Sequence, residues 1–195
     1  MKVLGIMGSP RKGGNTDLLL EEALKGAKSQ GAEVEKIVVS ELKIAPCDEL
    51  YPCLKEGKCN IDDDMQQVYP KLLEADSIVL ASPVFFYGLT SQTKALIDRC
   101  QALWVRRYIL KQTPLSTGKR KGIFLSVGAT KGERLFDGVV LTVKCFFDAI
   151  DVEYSGDILI RGVEQKGKIK QHPTALKEAF ELGKKLAQPN GTHLL

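Results

Sequence analysis

Short apolar runs recur along the chain and alternate with segments whose apolar residues repeat at helical spacing. The runs are continuous rather than interrupted by polar residues, which is typical of strands in a parallel sheet covered on both faces. The strands predicted in this way cover residues 3–7, 34–39, 77–82, 122–127 and 153–160. The pattern therefore predicts an open parallel sheet of five strands.

Helices are predicted between these strands and after the last one, so that they cover both faces of the sheet. In the first helix Leu20, Ala23, Leu24 and Ala27 share one face, and Gly31 ends the run. Further helices are predicted from residue 62, over 91–108, around 136–147 and over 173–186. We expect one domain over residues 1–187, with a Cys- and Pro-rich loop at 42–60 and a loose tail at 188–195.

The segment between the first strand and the first helix, residues 8–16, has the composition of an anion site. It combines three glycines with the polar side chains of Ser9, Arg11, Lys12, Asn15 and Thr16. Free backbone N–H groups and the positive end of the macrodipole favour an anion at a helix N-terminus. An ordinary strand-to-helix turn is the alternative, but the convergence of hydroxyls, amide and cations favours phosphate binding.

The spacing of this loop excludes two common nucleotide motifs. A P-loop ends in Gly-Lys-Ser/Thr, whereas Lys12 here precedes Gly13 and Gly14. The dinucleotide fingerprint needs Gly-x-Gly-x-x-Gly, which the three glycines of this loop do not form. A single terminal phosphate therefore fits better than a triphosphate or a pyrophosphate.

Two further loops follow predicted strands and so belong at the same edge of a parallel sheet, where ligands bind in this class of fold. The first, residues 83–88, carries three consecutive aromatic residues, Phe85, Phe86 and Tyr87. Aromatic faces and free backbone N–H groups suit a flat heterocycle with polar edges. The aromatic residues could equally cover the sheet edge or form a subunit interface. The second loop, residues 128–132, offers glycines and one cation.

Composition restricts the partners and the compartment. The 195 residues carry a net charge of +4, with 44% apolar and 27% charged residues, which is ordinary for a globular protein and gives no nucleic-acid signal. The sequence shows neither a signal peptide nor an apolar run long enough for a membrane span. We therefore expect a cytoplasmic protein without nucleic-acid or membrane partners, whose five cysteines are thiols, ligands or redox groups rather than structural disulfides.

Two sequence motifs carry a family resemblance. Gly8-Ser9-Pro10-Arg11 with Gly14-Asn15-Thr16, followed some seventy residues later by Ser82-Pro83-Val84-Phe85-Phe86-Tyr87-Gly88, resembles the flavodoxin-like NAD(P)H-dependent FMN reductases. The iron–sulfur flavoprotein branch is the most similar. The resemblance covers residues 1–160 or so, and implies a three-layer α/β sandwich with strand order 2-1-3-4-5 and FMN at the sheet edge.

The resemblance also implies roles for individual residues. The FMN phosphate would be held by the loop after the first strand, at Ser9, Pro10, Arg11, Gly14, Asn15 and Thr16. The isoalloxazine ring would be contacted by Pro83, Val84, Phe85, Phe86, Tyr87 and Gly88, with Gly128 on its other side. No catalytic side chain is expected, because the redox chemistry belongs to the flavin. His172 and His193 are expected to lie away from this site.

The function implied is an FMN-dependent oxidoreductase that takes hydride from NADH or NADPH. Its acceptor would be a quinone, a nitro compound, a metal ion or a protein, and a homodimer or homotetramer is expected because neighbouring subunits often complete such sites. The alternatives are an electron carrier that does not react with nicotinamides, and a flavin-free binding domain on the same fold. The positive net charge counts against a carrier of the strongly acidic flavodoxin type.

The cysteine loop departs from the iron–sulfur pattern. Relatives in that branch carry roughly C-x2-C-x2-C, a spacer and a fourth cysteine. Cys47, Cys53 and Cys59 match three of these places, but Leu50 stands at the second. A [4Fe–4S] cluster normally takes four thiolates, although a noncysteine fourth ligand such as Asp48 or Glu49 is an alternative. Zinc held by the three cysteines and a carboxylate is a further alternative. Free thiols or a Cys–Cys pair are favoured. Cys100 and Cys145 are predicted to be buried in helices.

Overall fold

A five-stranded parallel sheet forms the centre of the computed structural model, which describes residues 1–112 and 118–188. Its strand order is β2-β1-β3-β4-β5, as expected. The strands are β1 (Lys2–Met7), β2 (Glu33–Val38), β3 (Ser77–Ala81), β4 (Lys121–Gly128) and β5 (Glu153–Arg161). All but the first residue of the predicted tail, residues 189–195, lie outside the described residues.

Helices lie on both faces of the sheet, which completes the three-layer architecture. They are α1 (Asn15–Ser29), α2 (Cys53–Glu56), α3 (Met65–Glu74), α4 (Ser91–Arg99), α5 (Gln101–Trp104), α6 (Asp137–Ala149) and α7 (Ala175–Leu186). Helices α1 and α7 bury their apolar faces on one side of the sheet, and α3, α4 and α6 on the other. Alternate residues of β1 pack into the hydrophobic cores on the two faces of the sheet, with Leu4 and Ile6 on one face and Val3 and Met7 on the other.

Helices α1 and α7 approach each other very closely. A Cβ atom at Gly26 would lie 2.0 Å from the carbonyl oxygen of Phe180, and one at Gly183 would lie 1.9 Å from that of Ala23. Only glycine fits at these two positions, because any side chain would separate the helix backbones. This contact fixes α1, and with it the loop that precedes α1.

The helix predicted over 91–108 is interrupted. The Tyr69 hydroxyl donates to the Arg99 carbonyl oxygen (2.7 Å), and the Leu103 N–H donates to Cys100 instead (2.9 Å). The chain then continues as α5 and a π-helical turn, Val105–Ile109. The helical path is thus as long as predicted, but one side-chain hydrogen bond divides it.

Cysteine burial was predicted correctly for one helix and wrongly for another. Cys100 is buried, with 1% exposure, but Cys145 is exposed. The buried face of α6 is formed by Val139, Val143, Phe146 and Phe147, and Cys145 lies almost opposite Val143 on the helix. In the described residues, no helix has the length and apolar character needed to cross a membrane.

Candidate functional site

The first loop, residues 8–14, is bound tightly to the start of α4. The Gly8 N–H donates to the Ala81 carbonyl (2.7 Å), while the hydroxyls of Thr90 and Thr93 donate to the Gly8 carbonyl (2.6 and 3.1 Å). A Cβ atom at Gly8 would lie 2.2 Å from the Thr93 hydroxyl oxygen. Glycine is therefore required, and the two buried threonines position the loop from behind.

Helix α1 begins without a side-chain cap. Gly14 occupies the N-cap position in an extended conformation, and among the described residues no side chain caps the first turn. The first-turn residues Asn15, Thr16 and Asp17 are buried, and their N–H groups precede the first intrahelical bond, which Leu18 donates to Gly14 (3.0 Å). These N–H groups and the positive end of the macrodipole form a cradle for an anion.

Two side chains of this turn are engaged in holding the loops rather than facing a ligand. The Asn15 amide donates to the Gln165 carbonyl (2.9 Å), and its oxygen accepts from the Ile169 N–H (3.1 Å). Asp17 accepts from the Gly13 N–H (2.8 Å) and pairs with Lys36 (2.6 Å). Because both polar atoms of its side chain are engaged, Asn15 can offer its backbone N–H to an anion.

The ion pair behind the loop is strong enough to perturb its lysine. Burial on its own lowers the pKa of Lys36, but hydrogen bonds to the carboxylates of Asp17 and Glu21 outweigh burial and raise that pKa above its usual value. Lys36 is therefore charged at neutral pH, and it neutralises the carboxylate nearest to the anion cradle.

The second loop forms a tight aromatic hairpin, Phe85–Gly88. Phe85 and Gly88 exchange two backbone hydrogen bonds of 2.9 Å each. Between them Phe86 (φ 49°) and Tyr87 (φ 61°) both adopt the left-handed conformation, as in a type I′ turn, which normally holds Asn and Gly. Phe86 is fully exposed and Tyr87 is 60% exposed. The hairpin thus stores backbone strain while displaying its aromatic rings.

The second and third loops are held to each other. The Val84 N–H donates to the Val127 carbonyl (3.1 Å), and the buried hydroxyl of Ser126 donates to the Ser82 carbonyl (2.7 Å). In the third loop, a Cβ atom at Gly128 would lie 2.4 Å from the Leu135 side chain. These contacts set the spacing between the aromatic hairpin and the end of β4.

The loops enclose a cavity of about 200 Å³ at the carboxyl edge of the sheet. Its lining includes eight of the predicted residues, Ser9, Arg11, Gly14, Asn15, Thr16, Pro83, Val84 and Phe85. The other lining residues are Val127, Ala129, Val163 and Glu164. The predicted residues Pro10, Phe86, Tyr87, Gly88 and Gly128 lie beside the cavity without lining it. The cavity has an anion cradle at one end and apolar side chains, among them the aromatic ring of Phe85, at the other.

A fourth loop, which follows β5, was missed in the sequence. Val163 and Glu164 line the cavity, and the Glu164 carbonyl accepts a hydrogen bond from the Arg11 guanidinium (3.2 Å). The signal was available, because the parallel strand β5 ends at the same edge and is followed by two glycines, Gly162 and Gly167, with positive φ. His172 is engaged elsewhere, accepting from the first N–H of α7 (3.1 Å), and His193 lies outside the described residues.

The cysteine loop follows β2 and does not reach this cavity. Leu50, which replaces the second thiolate, is 79% exposed. A [4Fe–4S] cluster normally takes four thiolates, and Cys47, Cys53 and Cys59 supply three, so this donor set does not match the usual one. In the described part of the chain, no three His, Cys, Asp or Glu side chains are placed to hold a metal ion. The prediction of these cysteines as ligands thus depends on their spacing alone.

Comparison with known proteins gives concordant results. The model of the NADPH-dependent FMN reductase family matches residues 1–137. An iron–sulfur flavoprotein of Methanocaldococcus jannaschii is 47% identical over 103 residues, or 53% of each chain. Another, from Methanosarcina thermophila, is 38% identical over 131 residues, which cover 67% of this chain and 65% of that protein. The matched segments thus span about half to two thirds of these relatives.

A solved structure extends the similarity of fold to nearly the whole chain. The NAD(P)H:quinone oxidoreductase from Methanothermobacter marburgensis superposes with a TM-score of 0.72 over 95% of this chain and 98% of that one. The identity is 16%, so this likeness concerns the flavodoxin-like fold alone.

Proposed function

Because the chain belongs to the NADPH-dependent FMN reductase family, we propose that it is an FMN-dependent oxidoreductase that takes hydride from NADH or NADPH. The observation that carries this proposal is the cavity at the carboxyl edge, where an uncapped, buried helix N-terminus lies across from apolar side chains that include the ring of Phe85. FMN is a flat ring system with a phosphate arm, and these two ends suit it. When bound, FMN would supply the hydride and electron chemistry of the reaction.

The phosphate end of the proposed site consists mainly of backbone groups. The N–H groups of Asn15, Thr16 and Asp17 would donate to the phosphate, and the exposed Arg11 guanidinium would add a charged hydrogen bond from the cavity lining. The hydroxyl of Ser9, which accepts from the Arg11 N–H (3.2 Å), is free to donate its own proton. This set of donors suits a dianion.

The ring end would be shaped by two rigid loop segments. Pro83, Val84 and Phe85 would contact one side of the ring, while Val127 and Ala129 lie across the cavity. None of these side chains titrates, so this end of the cavity offers no acid or base, and the hydride chemistry would belong to the flavin. The exposed ring of Phe86 lies outside the lining and is available to a nicotinamide or a flat acceptor.

The acceptor is proposed only by class: a quinone, a nitro compound, a metal ion or a protein. A homodimer or homotetramer and a cytoplasmic location belong to the same proposal. The exposed hairpin supports oligomerisation, because Phe85, Phe86 and Tyr87 together leave more aromatic surface uncovered than scattered single residues do. Sedimentation equilibrium tests the assembly, and a monomer at the protein concentrations used in assays would contradict it.

Anaerobic mixing with NADH or NADPH tests the proposed reaction. We expect the yellow colour of protein-bound FMN to bleach at about 1 s⁻¹ or faster, within the usual range of enzyme turnover. Dithionite provides the control, since it reduces bound flavin without a nicotinamide site. Bleaching by dithionite but not by either nicotinamide would contradict the reductase and support an electron carrier, the second candidate favoured by the iron–sulfur flavoprotein relatives. A protein that does not bind FMN would contradict both.

A further inference from the structure

A second cavity lies at the amino edge of the sheet, opposite the proposed flavin site. Its volume is about 300 Å³, compared with about 200 Å³ for the cavity at the carboxyl edge. Its lining comes from the ends of α3 and α6, from α5 and the π-helical turn that follows it, and from Arg120, which directly precedes β4. Because β4 runs for eight residues from one edge to the other, the two cavities lie about 20 Å apart.

One wall of this second cavity is apolar. Leu103 and Ile150 are buried, with 4% and 3% exposure, and the partly buried side chains of Leu73 and Ala149 lie beside them. Contact with this wall would remove the apolar part of a ligand from water, which favours binding.

The cavity is also lined by a buried positive charge. Arg120 is 4% exposed, and each of its three guanidinium nitrogens donates one hydrogen bond, to the carbonyls of Ala75 (2.9 Å), Ile150 (2.7 Å) and Leu72. Each of the two terminal nitrogens carries a second N–H, and within the described residues these two N–H groups have no partner and the guanidinium makes no ion pair. Burial lowers the pKa of Arg120, and the attraction of two acidic residues does not outweigh it. An anion in the cavity would compensate this charge.

Two further cations line the cavity without a carboxylate partner in the described part of the chain. The side chain of Arg106 is held at two points: a Cβ atom at Gly57 would lie 2.1 Å from its Cγ, and its Nε donates to the amide oxygen of Gln112 (3.0 Å). Lys111 lies at the exposed side of the cavity. Arg106 and Lys111 therefore add to the positive charge of Arg120.

The fourth lining cation is paired within the chain. Arg107 makes ion pairs of 3.3 Å with both Asp148 and Asp151, and the Tyr108 hydroxyl donates to Asp148 (2.7 Å). These contacts use the carboxylate of Asp151, the acidic residue of the described lining. The charge on the other three cations is thus not balanced by the residues that line the cavity.

We propose that this cavity binds a small organic anion, whose carboxylate or phosphate head is bound by Arg106, Lys111 and Arg120 and whose apolar body lies against the buried wall. Both kinds of head group accept paired hydrogen bonds from guanidinium groups. The apolar wall favours an anion with a hydrocarbon body over an inorganic ion. The two cavities share no described lining residue, so this proposal does not depend on the flavin.

Titration calorimetry in the presence of excess FMN tests the proposal, with octanoate and octyl phosphate as probes. We expect one of the two to bind once per chain, and about tenfold or more tightly than the uncharged 1-octanol, because charged hydrogen bonds contribute at least such a factor. The probe that binds more tightly identifies the head group. Binding of neither anion, or equally tight binding of 1-octanol, would overturn the proposal.

Three variants locate the bound anion. In Arg106→Gln and in Lys111→Gln the Kd of the tighter probe should rise about fivefold or more. Glutamine keeps the Cγ that packs on Gly57, and Lys111 is exposed, so both variants should fold. Lys119→Gln is the matched control, because Lys119 is exposed beside Arg120 but does not line the cavity. An equal rise in all three variants would indicate a general charge effect and contradict the proposed site.

Arg11→Ala separates this site from the proposed flavin site. Arg11 lines the cavity at the carboxyl edge, so its removal should leave the Kd of the probe unchanged. If the affinity for the probe falls in Arg11→Ala but not in Arg106→Gln, the anion binds at the carboxyl edge and the proposal is wrong. A protein that binds the probe but not FMN would contradict the proposed function and leave the second site supported.

Discussion

Two loops that follow neighbouring strands are each supported by an ion pair, but the two pairs bind different parts of their loops. The first loop follows β1 and is supported by the Asp17–Lys36 pair, while the cysteine loop follows β2 and is supported by the Asp63–Arg99 pair. In the first loop the ion pair lies behind the backbone and leaves the N–H groups of α1 facing a cavity. In the cysteine loop the guanidinium itself binds the carbonyls of both loop ends.

This difference shows why one motif predicts a site better than the other. An anion cradle needs a helix start and small residues, and both are local properties of a few consecutive positions. A metal cluster needs a complete set of ligands, so one missing thiolate, at Leu50, changes the chemistry of the whole loop. The loop nevertheless keeps a defined shape, because Arg99 supplies the closure that a cluster would otherwise provide.

Breaking the Asp63–Arg99 pair should have the largest effect on stability. Replacing Asp63 with Asn leaves the Arg99 charge buried without a counterion, and we expect the free energy of unfolding to fall by about 3 kcal/mol or more. Urea denaturation at neutral pH measures this change. Asp98→Asn is the matched control, since the Lys94–Asp98 pair is half exposed and such pairs contribute about 0.5 kcal/mol or less. Equal losses in the two variants would contradict the role assigned to Arg99.

The same pair should make stability depend on acid pH. Burial alone raises the pKa of Asp63, but hydrogen bonds from Arg99 and from the N–H groups of Ala45 and Met65 outweigh it and hold that pKa below its usual value. The folded state therefore binds this proton less readily than the unfolded state. The stabilisation is complete above the unfolded pKa of about 3.9 and is lost as pH falls through the folded pKa. The stability difference between the protein and Asp63→Asn, measured by urea denaturation over this range, should shrink below about pH 4; a constant difference would contradict this.

In the first loop, Arg11 should control the affinity of the protein for FMN. Arg11→Ala would remove the charged hydrogen bond proposed from Arg11 to the FMN phosphate, and we expect FMN binding to weaken by about 1–3 kcal/mol. Fluorescence titration of the flavin-free protein measures this directly. Lys12→Ala is the control, because Lys12 pairs with Glu41 and does not line the cavity. Unchanged affinity in Arg11→Ala, or an equal loss in both variants, would show that the phosphate is bound elsewhere.

The sequence predicted the sheet and most of the cavity because their signals are periodic or local. Continuous apolar runs gave all five strands in order, and the loops after β1 and β3 supplied eight lining residues. The loop after β5 was missed because Val163 and Glu164 form no motif, although the parallel strand and the two glycines that follow it place this loop at the same edge.

Long-range contacts explain the remaining differences. The break at Cys100 depends on Tyr69, which lies 30 residues from Arg99 along the chain. The closure of the cysteine loop depends on Arg99, 54 residues beyond Ala45. Neither contact leaves a pattern in the sequence near the element that it shapes. The wrong prediction that Cys145 is buried has a different origin, because its neighbours in the sequence of α6 are apolar although Cys145 itself lies on the exposed face.

The smallest expected effect concerns backbone strain beside the cavity. Phe86 is left-handed and fully exposed in the single chain, so in protein diluted to the monomer Phe86→Asn should relieve strain without losing packing within the chain, and raise the free energy of unfolding by about 0.5–1 kcal/mol. Phe86→Ala is the control, since alanine keeps the Cβ atom that disfavours this conformation and should give no gain. Urea denaturation of both variants measures the difference. If Phe86→Asn is stabilised but loses turnover with NADH or NADPH, the strained aromatic residue is retained for contacts at the cavity and at a cost in stability. If Phe86→Asn is stabilised and keeps full turnover, Phe86 takes no part in the reaction.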